Sequence, residues 1–558
     1  MRKVNILLIL TIALIMGCKN TQQVDDYATF IKEYESKVIP LVKQSSLAYF
    51  EASISGKDED YQKSADMQIE ITKIFSNKAL FEKIKTIKES EKITNEVDKR
   101  RVEVLYNAFL SNQVDTNQLK EIINLQTEVE KKFSTFRADV AGKKLTDNEI
   151  EDILRMSKDS KKLEEAWRSS KKVGTLVSDD VIKLAKKRNE IAKSLGYDNY
   201  HQMSLMLSEQ NPKEIEKIFD ELDALTKDTY IKVKSEMDAI LAKELNIKPE
   251  QLMPWHYQNR FFQEAPKIYN VDLDKYYQKA NIEKITKDYY NGIGLPIDDI
   301  LAKSDLYEKP NKYQHAYCID IDNEGDVRVL CNIKPNFNWM GTMLHEFGHA
   351  AYDKYIDSTL PYDLRNPAHT FTTEAIAMIF GRLASNSEWM KGMINISDKE
   401  VQEIKQPAFN SLKLQQIVFS RWSQVMFRFE KSLYENPDQD LNRLWWDLVE
   451  KYQMIKRPSD TKEADWASKI HIASSPCYYH NYLLGELLAS QLNHYITVNI
   501  IKSKDFNNQS FVGNKEVGKY LIEKVFKPGS KYQWNKMIEL ATGEKLTAKY
   551  YAEQFVNN

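Results

Sequence analysis

The chain has 558 residues, of which 42% are hydrophobic, so it can bury a large core as one domain or as two lobes. Its 79 Lys and Arg residues nearly balance 81 Asp and Glu residues, and this balance excludes the strong basic field typical of nucleic-acid-binding proteins. Only 17 Gly and 15 Pro interrupt long stretches rich in Lys, Glu, Leu and Ile, which indicates a mainly α-helical protein with few strands.

The first residues have the pattern of a signal peptide. A basic pair precedes an apolar run that ends near Met16 and is too short to span a bilayer. Residues 15–18, IMGC, resemble a bacterial lipobox, in which the Cys is acylated and becomes the new N-terminus. We therefore expect removal of residues 1–17, a lipid on Cys18 and a tether over residues 18–26, which would anchor the chain to a membrane of the bacterial cell envelope. The alternative is an ordinary signal peptide followed by a chance Cys.

The next part of the chain is a succession of helical patterns. One example is DDVIKLAKKRNEIAKSLGYDN, in which Asp179 or Asp180 suits an N-cap and Gly196 suits the C-terminal stop. Neither an internal repeat nor a low-complexity linker divides the sequence. We therefore expect residues 27–558 to form a single domain, within which residues 253–266 form an aromatic-rich loop between two prolines.

A β-hairpin is predicted further along. The stretch IDIDNEGDVRVL alternates apolar and polar residues, and Cys318 and Cys331 flank it. A two-residue turn at Glu324-Gly325 would place these two cysteines directly opposite one another. A disulfide between them is then expected, the alternative being two small strand residues that never bond.

The stretch HEFGH follows the hairpin and has the spacing of a metal-binding helix. Residues four apart lie on nearly the same helix face, so His345 and His349 can present two imidazoles to one zinc ion. Glu346 is rotated by about 100° around the axis, which suits it to take a proton from a metal-bound water rather than to bind the metal.

A second helical pattern supplies a third ligand. In TFTTEAIAMIFGRLA, Glu374 is the acidic residue of an otherwise apolar run. A carboxylate buried in such a run requires a cation. Three protein ligands, His345, His349 and Glu374, plus one open position are typical of a catalytic rather than a structural zinc site, with one Zn²⁺ per chain.

Three stretches of the sequence resemble the angiotensin-converting-enzyme family of peptidyl-dipeptidases. From the metal helix to the third ligand, HEFGHAAYDKYIDSTLPYDLRNPAHTFTTEA keeps the family's Tyr, Leu-Pro, Arg, Ala and Glu-Ala. The stretch LWWDLVEKYQ is similar to the family's Trp-Trp-x-Leu-x-x-Lys-Tyr-Gln region, and SKIHIASSPCYYHNY to its Lys-x-His-Ile segment and Tyr-rich turn. The resemblance implies a mainly α, two-lobed helical zinc peptidase (gluzincin) with a deep central cleft, two subdomains and a small β-hairpin near the active site.

The resemblance also implies roles for residues of the last stretch. Lys469 and Tyr478 would bind the C-terminal carboxylate of the substrate, and His471 would contact the backbone around the scissile bond. A second Tyr would stabilise the oxyanion. Because the turn carries one more residue than the family pattern, Tyr482 is the first candidate for this role and Tyr479 the alternative.

Other positions match less completely or depart from the family. The entry to the hairpin resembles a strand that pairs with the substrate backbone, which makes His315 and Ala316 substrate contacts, and Gln258 matches a carboxylate-binding Gln. Met378 stands where the family has an acidic residue that orients the metal site. His480-Asn481 stands in place of a chloride-binding Arg, so the resemblance leaves chloride activation open.

The activity implied by the resemblance is release of C-terminal dipeptides from short peptides, as by a dipeptidyl carboxypeptidase. Glu346 would take a proton from water, and Tyr482 and His471 would stabilise the oxyanion. One alternative is an endo-acting oligopeptidase of the thimet type. The other is a tethered peptide-binding protein without catalysis, which Met378 favours and the intact metal motif disfavours.

Overall fold

The computed structural model describes residues 2–269 and 271–556, with side chains from residue 26 onward. The predicted signal peptide (1–17), Cys18 and, apart from Asp26, the tether (18–26) lie outside the residues whose side chains are described, and they stay predictions. Among the residues that are described, no helix is both long enough and apolar enough to cross a membrane.

The described chain is mainly α-helical, as predicted. Its first half contains nine helices and one short hairpin: α1 (Arg2–Ser55), α2 (Asp58–Phe75), α3 (Lys78–Glu89), α4 (Glu96–Ser111), α5 (Thr116–Thr135), β1 (Ala138–Val140), β2 (Lys143–Leu145), α6 (Asp147–Met156), α7 (Ser160–Ser194), α8 (Tyr200–Leu207) and α9 (Pro212–Leu245).

The second half of the described chain brings the elements that build the site. In order they are α10 (Asp274–Tyr277), α11 (Ile282–Gly292), α12 (Asp298–Lys303), β3 (Tyr317–Asp320), β4 (Val327–Leu330), α13 (Phe337–Lys354), α14 (Thr370–Gly381), α15 (Ser387–Ile394), α16 (Asp398–Glu435), α17 (Leu441–Gln453), α18 (His471–Ser474), α19 (His480–Tyr495), α20 (Lys515–Leu521), α21 (Trp534–Thr542) and α22 (Lys549–Phe555). Single turns of 3-10 or π helix join several of them.

Helix α7 is longer than predicted. The expected N-cap at Asp179 or Asp180 is wrong, because Asp159 caps this helix by accepting hydrogen bonds from the backbone N–H groups of Lys161 and Lys162. Asp180 lies in the helix interior, where its carboxylate pairs with Lys132 of α5 at 2.5 Å. The predicted stop at Gly196 is confirmed by its left-handed backbone, with φ at +88°.

One large hydrophobic core extends from α5 to α22 and contains α13, α14 and α19. A smaller cluster joins the part of α1 after residue 26 to α3 and α4. Gly348 lies where α13 and α14 approach one another, and a Cβ at this position would stand 2.9 Å from Ala377 Cα. The two metal-binding helices predicted from the sequence are therefore packed backbone to backbone.

The close approach at Gly348 gives a stability prediction. Gly348→Ala should lower the free energy of unfolding by about 1–3 kcal/mol, because the added methyl group overfills the contact with α14. Chemical denaturation measures the change. The matched control is Gly341→Ala in the same helix, where the nearest atom to an added Cβ is 3.6 Å away. Equal unfolding midpoints for the two variants would contradict the tight packing.

The hairpin is present, but its predicted register is wrong. In the antiparallel pair β3 and β4, Cys318 lies opposite Val329, and Ile321 N–H donates to Asp326 C=O at 3.0 Å. The turn is therefore a four-residue loop. The carboxylate of Asp320 accepts the N–H groups at the start of this loop. Cys331 becomes a diagonal rather than a direct neighbour of Cys318, and the predicted disulfide is absent, since both cysteines are free.

Candidate active site

Helix α13 presents the first two predicted metal ligands. Asn336 caps the helix by accepting a hydrogen bond from Trp339 N–H at 2.8 Å. The helix is anchored by fully buried apolar side chains, namely Met340, Met343, Leu344, Phe347 and Ala350. His345 and His349, four residues apart, consequently point from the remaining face towards α14.

The structure brings the three predicted ligands together. His345 Nε2 lies 3.3 Å from His349 Nε2, and Glu374 Oε2 lies 3.7 Å from the first of these nitrogens and 3.9 Å from the second. All three ligand atoms fall within 4.8 Å of one another. This donor set, two imidazole nitrogens and one carboxylate oxygen, fits a zinc site that keeps an open position.

The surroundings prepare these side chains for a metal. Thr373 Oγ1 lies 2.7 Å from His349 Nδ1, and a hydrogen bond there leaves Nε2 directed at the cluster. Burial lowers the pKa of His345 to about 4 and, together with the neighbouring imidazole, that of His349 to about 3. Both rings are therefore neutral, which is the form that binds a metal. Met378 packs between α14 and α19 instead of orienting a ligand.

Glu346 stands beside the cluster without belonging to it. The side chain is buried and lines the same cavity as the three ligands. Burial, and then the charge of Glu374, raise the pKa of Glu346 to about 8, and burial raises that of Glu374 to about 7. A divalent cation held at the cluster lowers the pKa of both carboxyl groups, because it stabilises their charged forms.

Lys469 is placed near the turn that carries the tyrosines, and the side chains that lie against it are not those of Gln258 and Tyr478. Its Nζ donates to Gln263 Oε1 at 2.6 Å, whereas Gln258 Oε1 accepts from the backbone N–H of Lys267 instead. Tyr479 rather than Tyr478 lies against it, with the ring centroid 5.2 Å from Nζ. Gln263 belongs to the same loop as Gln258, five residues on, and only the folded loop distinguishes them.

Tyr478 and Tyr482 lie together on the side of the metal cluster. Their ring centroids are 5.4 Å apart. Burial is the largest cause of the raised pKa of each phenol, and the charge of Glu374 contributes to both. Of the two tyrosines considered for the oxyanion, Tyr482 is thus the one near Glu374, while Tyr479 accepts a hydrogen bond from Trp422 Nε1 at 2.9 Å.

His471 lies beside Tyr479, with the two ring centroids 5.3 Å apart. Burial, and then the charge of Lys469, lower the pKa of His471 to about 4, so the imidazole is neutral. Its Nδ1 is buried and has no hydrogen-bond partner within the described part of the chain. An orphaned polar atom in a site of this kind is suited to a hydrogen bond with substrate.

A cavity of about 530 Å³ opens beside the metal cluster. Ala316 lines it immediately before β3, as a strand that contacts substrate requires. His315 is exposed, has its ring centroid 5.4 Å from that of Tyr313 and is not part of this cavity wall. The wall includes two acidic residues that the sequence did not single out, Asp320 and Asp353. The second lies four residues after His349, so helical spacing alone could have identified it.

The start of α19 is neutral at the position where the family resemblance would place an Arg. His480 Nε2 and Asn481 Oδ1 each lie 2.7 Å from the amide of Gln210. Burial lowers the pKa of His480 well below its ordinary value. These two residues therefore serve as buried hydrogen-bonding groups and offer no positive charge to a chloride ion.

The sequence matches a known protein family. The family model described as angiotensin-converting enzyme matches residues 21–555, which is nearly the whole chain. The comparison with curated proteins found no significant match. The family match covers the metal helix, the helix of the third ligand and the segment from Lys469 to Tyr482.

Proposed function

The chain belongs to the angiotensin-converting-enzyme family of metallopeptidases, and we propose that it is a zinc-dependent peptidyl-dipeptidase that releases dipeptides from the free C-termini of short peptides. The observation that carries this proposal is Lys469. The residue is only 8% exposed, and within the described residues its ammonium group makes no ion pair. A buried ammonium whose hydrogen bond goes to a neutral amide is suited to receive a carboxylate.

Tyr479 lies against both Lys469 and Tyr482, and so connects the proposed carboxylate-binding lysine to the metal side. The ring of Tyr479 lies 5.2 Å from the ammonium, and the ring centroids of Tyr479 and Tyr482 are 5.4 Å apart. In this proposal, a peptide held by its C-terminal carboxylate at Lys469 extends past Tyr479 and presents its second peptide bond from that end to Tyr482 and Glu374.

Zinc at the cluster would polarise the scissile carbonyl and lower the pKa of a water molecule. Glu346 accepts the proton of the attacking water on its carboxylate and returns it to the amine of the leaving dipeptide. Tyr482 donates its phenol hydrogen to the oxygen on which negative charge develops. His471, neutral and with Nδ1 free, holds the substrate backbone beside the scissile bond.

The proposal predicts a strong dependence on the substrate's C-terminus. Amidation of that terminus should lower kcat/KM by about 10- to 100-fold, because a charge-assisted hydrogen bond to Lys469 is lost. The variant Lys469→Met should lose a similar factor on free-acid peptides and show little further loss on amides. Mass spectrometry of timed digests gives both the products and the rates.

The matched control is Lys462→Met, which changes an exposed lysine close in sequence and should retain the full difference between acid and amide. Equal cleavage of acids and amides at internal bonds would favour an endo-acting oligopeptidase instead. A purified protein that binds peptides but shows no chelator-sensitive hydrolysis would favour the non-catalytic alternative.

A further inference from the structure

The cavity beside the metal cluster contains two carboxylates that the proposed reaction does not use. Asp353 lies in the last turn of α13 and continues the helix face of His345 and His349. Asp320 ends β3 and reaches the same cavity from the hairpin. Both side chains line the wall together with Glu346, so any substrate group that fills the cavity meets them.

Asp353 has no strong partner among the described residues. Its one hydrogen-bond contact comes from Cys318 Sγ at 3.9 Å, and it makes no ion pair. Protein surrounds the carboxyl group except where it faces the cavity. Burial, and then the charge of Asp320, raise the pKa of Asp353 to about 8. A carboxyl group enclosed in this way is stabilised in its charged form only by a cation.

Only one carboxylate oxygen of Asp320 accepts hydrogen bonds within the described structure. Its Oδ1 accepts the backbone N–H groups of Asp322 at 3.1 Å and Asn323 at 2.9 Å, which fixes the carboxylate in place. The basic residue on the cavity wall does not neutralise it, because Arg365 Nη1 donates to Glu324 at 3.2 Å and its Nε donates to a backbone carbonyl. The acidic end of the cavity therefore lacks a cation within the described structure.

A second metal ion does not account for these acids. Among the described residues, one group of three His, Cys, Asp or Glu side chains is close enough to share an ion. It consists of His345, His349 and Glu374. Asp320, Asp353 and Cys318 do not meet that spacing. An organic ammonium or guanidinium group of a ligand therefore suits these carboxylates better than a metal ion does.

The position of the cavity indicates which part of a substrate fills it. Its wall contains the metal cluster and Glu346 but not Lys469, Gln263 or Tyr479. This step rests on the proposed function, in which the C-terminal carboxylate lies at Lys469 and the scissile carbonyl at the cluster. The residues on the amino side of the scissile bond then extend into the cavity.

We propose that Asp353, together with Asp320, binds a cationic group of the substrate on the amino side of the scissile bond. The preferred substrates are then short peptides with Lys or Arg in that part, or peptides short enough to place their free α-ammonium group there. Both sources offer the same chemistry, an N–H cation that donates to two carboxylates.

Equilibrium binding tests this proposal without requiring hydrolysis. In the Glu346→Gln background, a zinc-loaded protein is titrated with peptides that carry Lys or Gln two positions before the scissile bond, each with a free or an acetylated N-terminus. A cationic peptide should bind about tenfold more tightly than its neutral match. Asp353→Asn should abolish that ratio and Asp320→Asn should reduce it.

The control is Asp357→Asn, just beyond α13 and outside the cavity wall, which should keep the full ratio. Thermal unfolding of every variant establishes that the fold is intact.

Preference for Lys in acetylated peptides identifies the side chain as the cation, and preference only for free N-termini identifies the α-ammonium. Equal binding of cationic and neutral peptides to the parent protein, or an unchanged ratio in both acidic-site variants, overturns the proposal. Products other than dipeptides in the digests of the parent protein would contradict the proposed function but not this binding proposal.

Discussion

Replacement of Glu346 by Gln should lower kcat by about 10²- to 10⁴-fold, the usual contribution of a general base, while the protein still binds zinc. Gln keeps the volume of the side chain, so the buried packing of α13 is retained, but its amide cannot accept a proton from water. Since Glu346 is adjacent to the cluster and is not one of its three ligand groups, the metal should remain. Steady-state kinetics and metal analysis of the same preparation measure both effects.

The control for this variant is Glu308→Gln, which changes an exposed carboxylate and should leave kcat unaltered. A Glu346→Gln protein with near-normal kcat would show that another group takes the proton. A protein that loses its zinc would instead assign Glu346 to the metal shell, against the geometry of the cluster.

The second large effect is expected at Glu374. Glu374→Ala leaves two imidazoles to hold the ion, and zinc affinity should fall by more than the roughly 10- to 100-fold typical of losing a group that only supports a ligand. Hydrolysis should fall to background. Competition with a chelator of known affinity measures the change in zinc binding.

Thermal unfolding gives a second measurement of the same change. A ligand that binds only the folded state stabilises it by about 2.7 kcal/mol at a concentration of 100 times its Kd. Added zinc should therefore raise the midpoint of the parent protein and of Glu346→Gln, but not that of Glu374→Ala. An equal rise in all three would show that Glu374 is not a ligand. Glu374→Gln, which fills the space, separates lost binding from a packing defect.

The parts of the site set by local geometry could be predicted from the sequence. His345 and His349 share a face because a helix repeats every 3.6 residues, and Glu374 was recognisable as a carboxylate in an apolar helix. The structure brings these three groups together as expected. The mainly helical fold and the presence of a hairpin also follow from composition and alternation.

The errors arose where the chain's path depends on side-chain hydrogen bonds. The loop of the hairpin is stabilised by Asp320 and Asp322, which accept backbone N–H groups, so it takes four residues instead of two and shifts the partner of Cys318. The path of an irregular loop places Gln263, and not Gln258, beside Lys469. Tyr479 is the tyrosine that lies against Lys469, and the sequence alone could not decide which tyrosine of this turn takes that place.

The glycines at which α13, α14 and α19 approach one another affect how this protein can change over evolutionary time. A Cβ at Gly348 would meet the backbone of Ala377 at 2.9 Å, and one at Gly485 would stand 3.2 Å from Glu374 Cβ. The spacing of the three helices thus depends on the absence of a side chain at these two positions. Nearly half of the cavity wall comes from β3 and from residues 365–367, which lie outside these helices. Mutations there can retarget the enzyme to new peptides while the inherited hydrolytic apparatus stays unaltered.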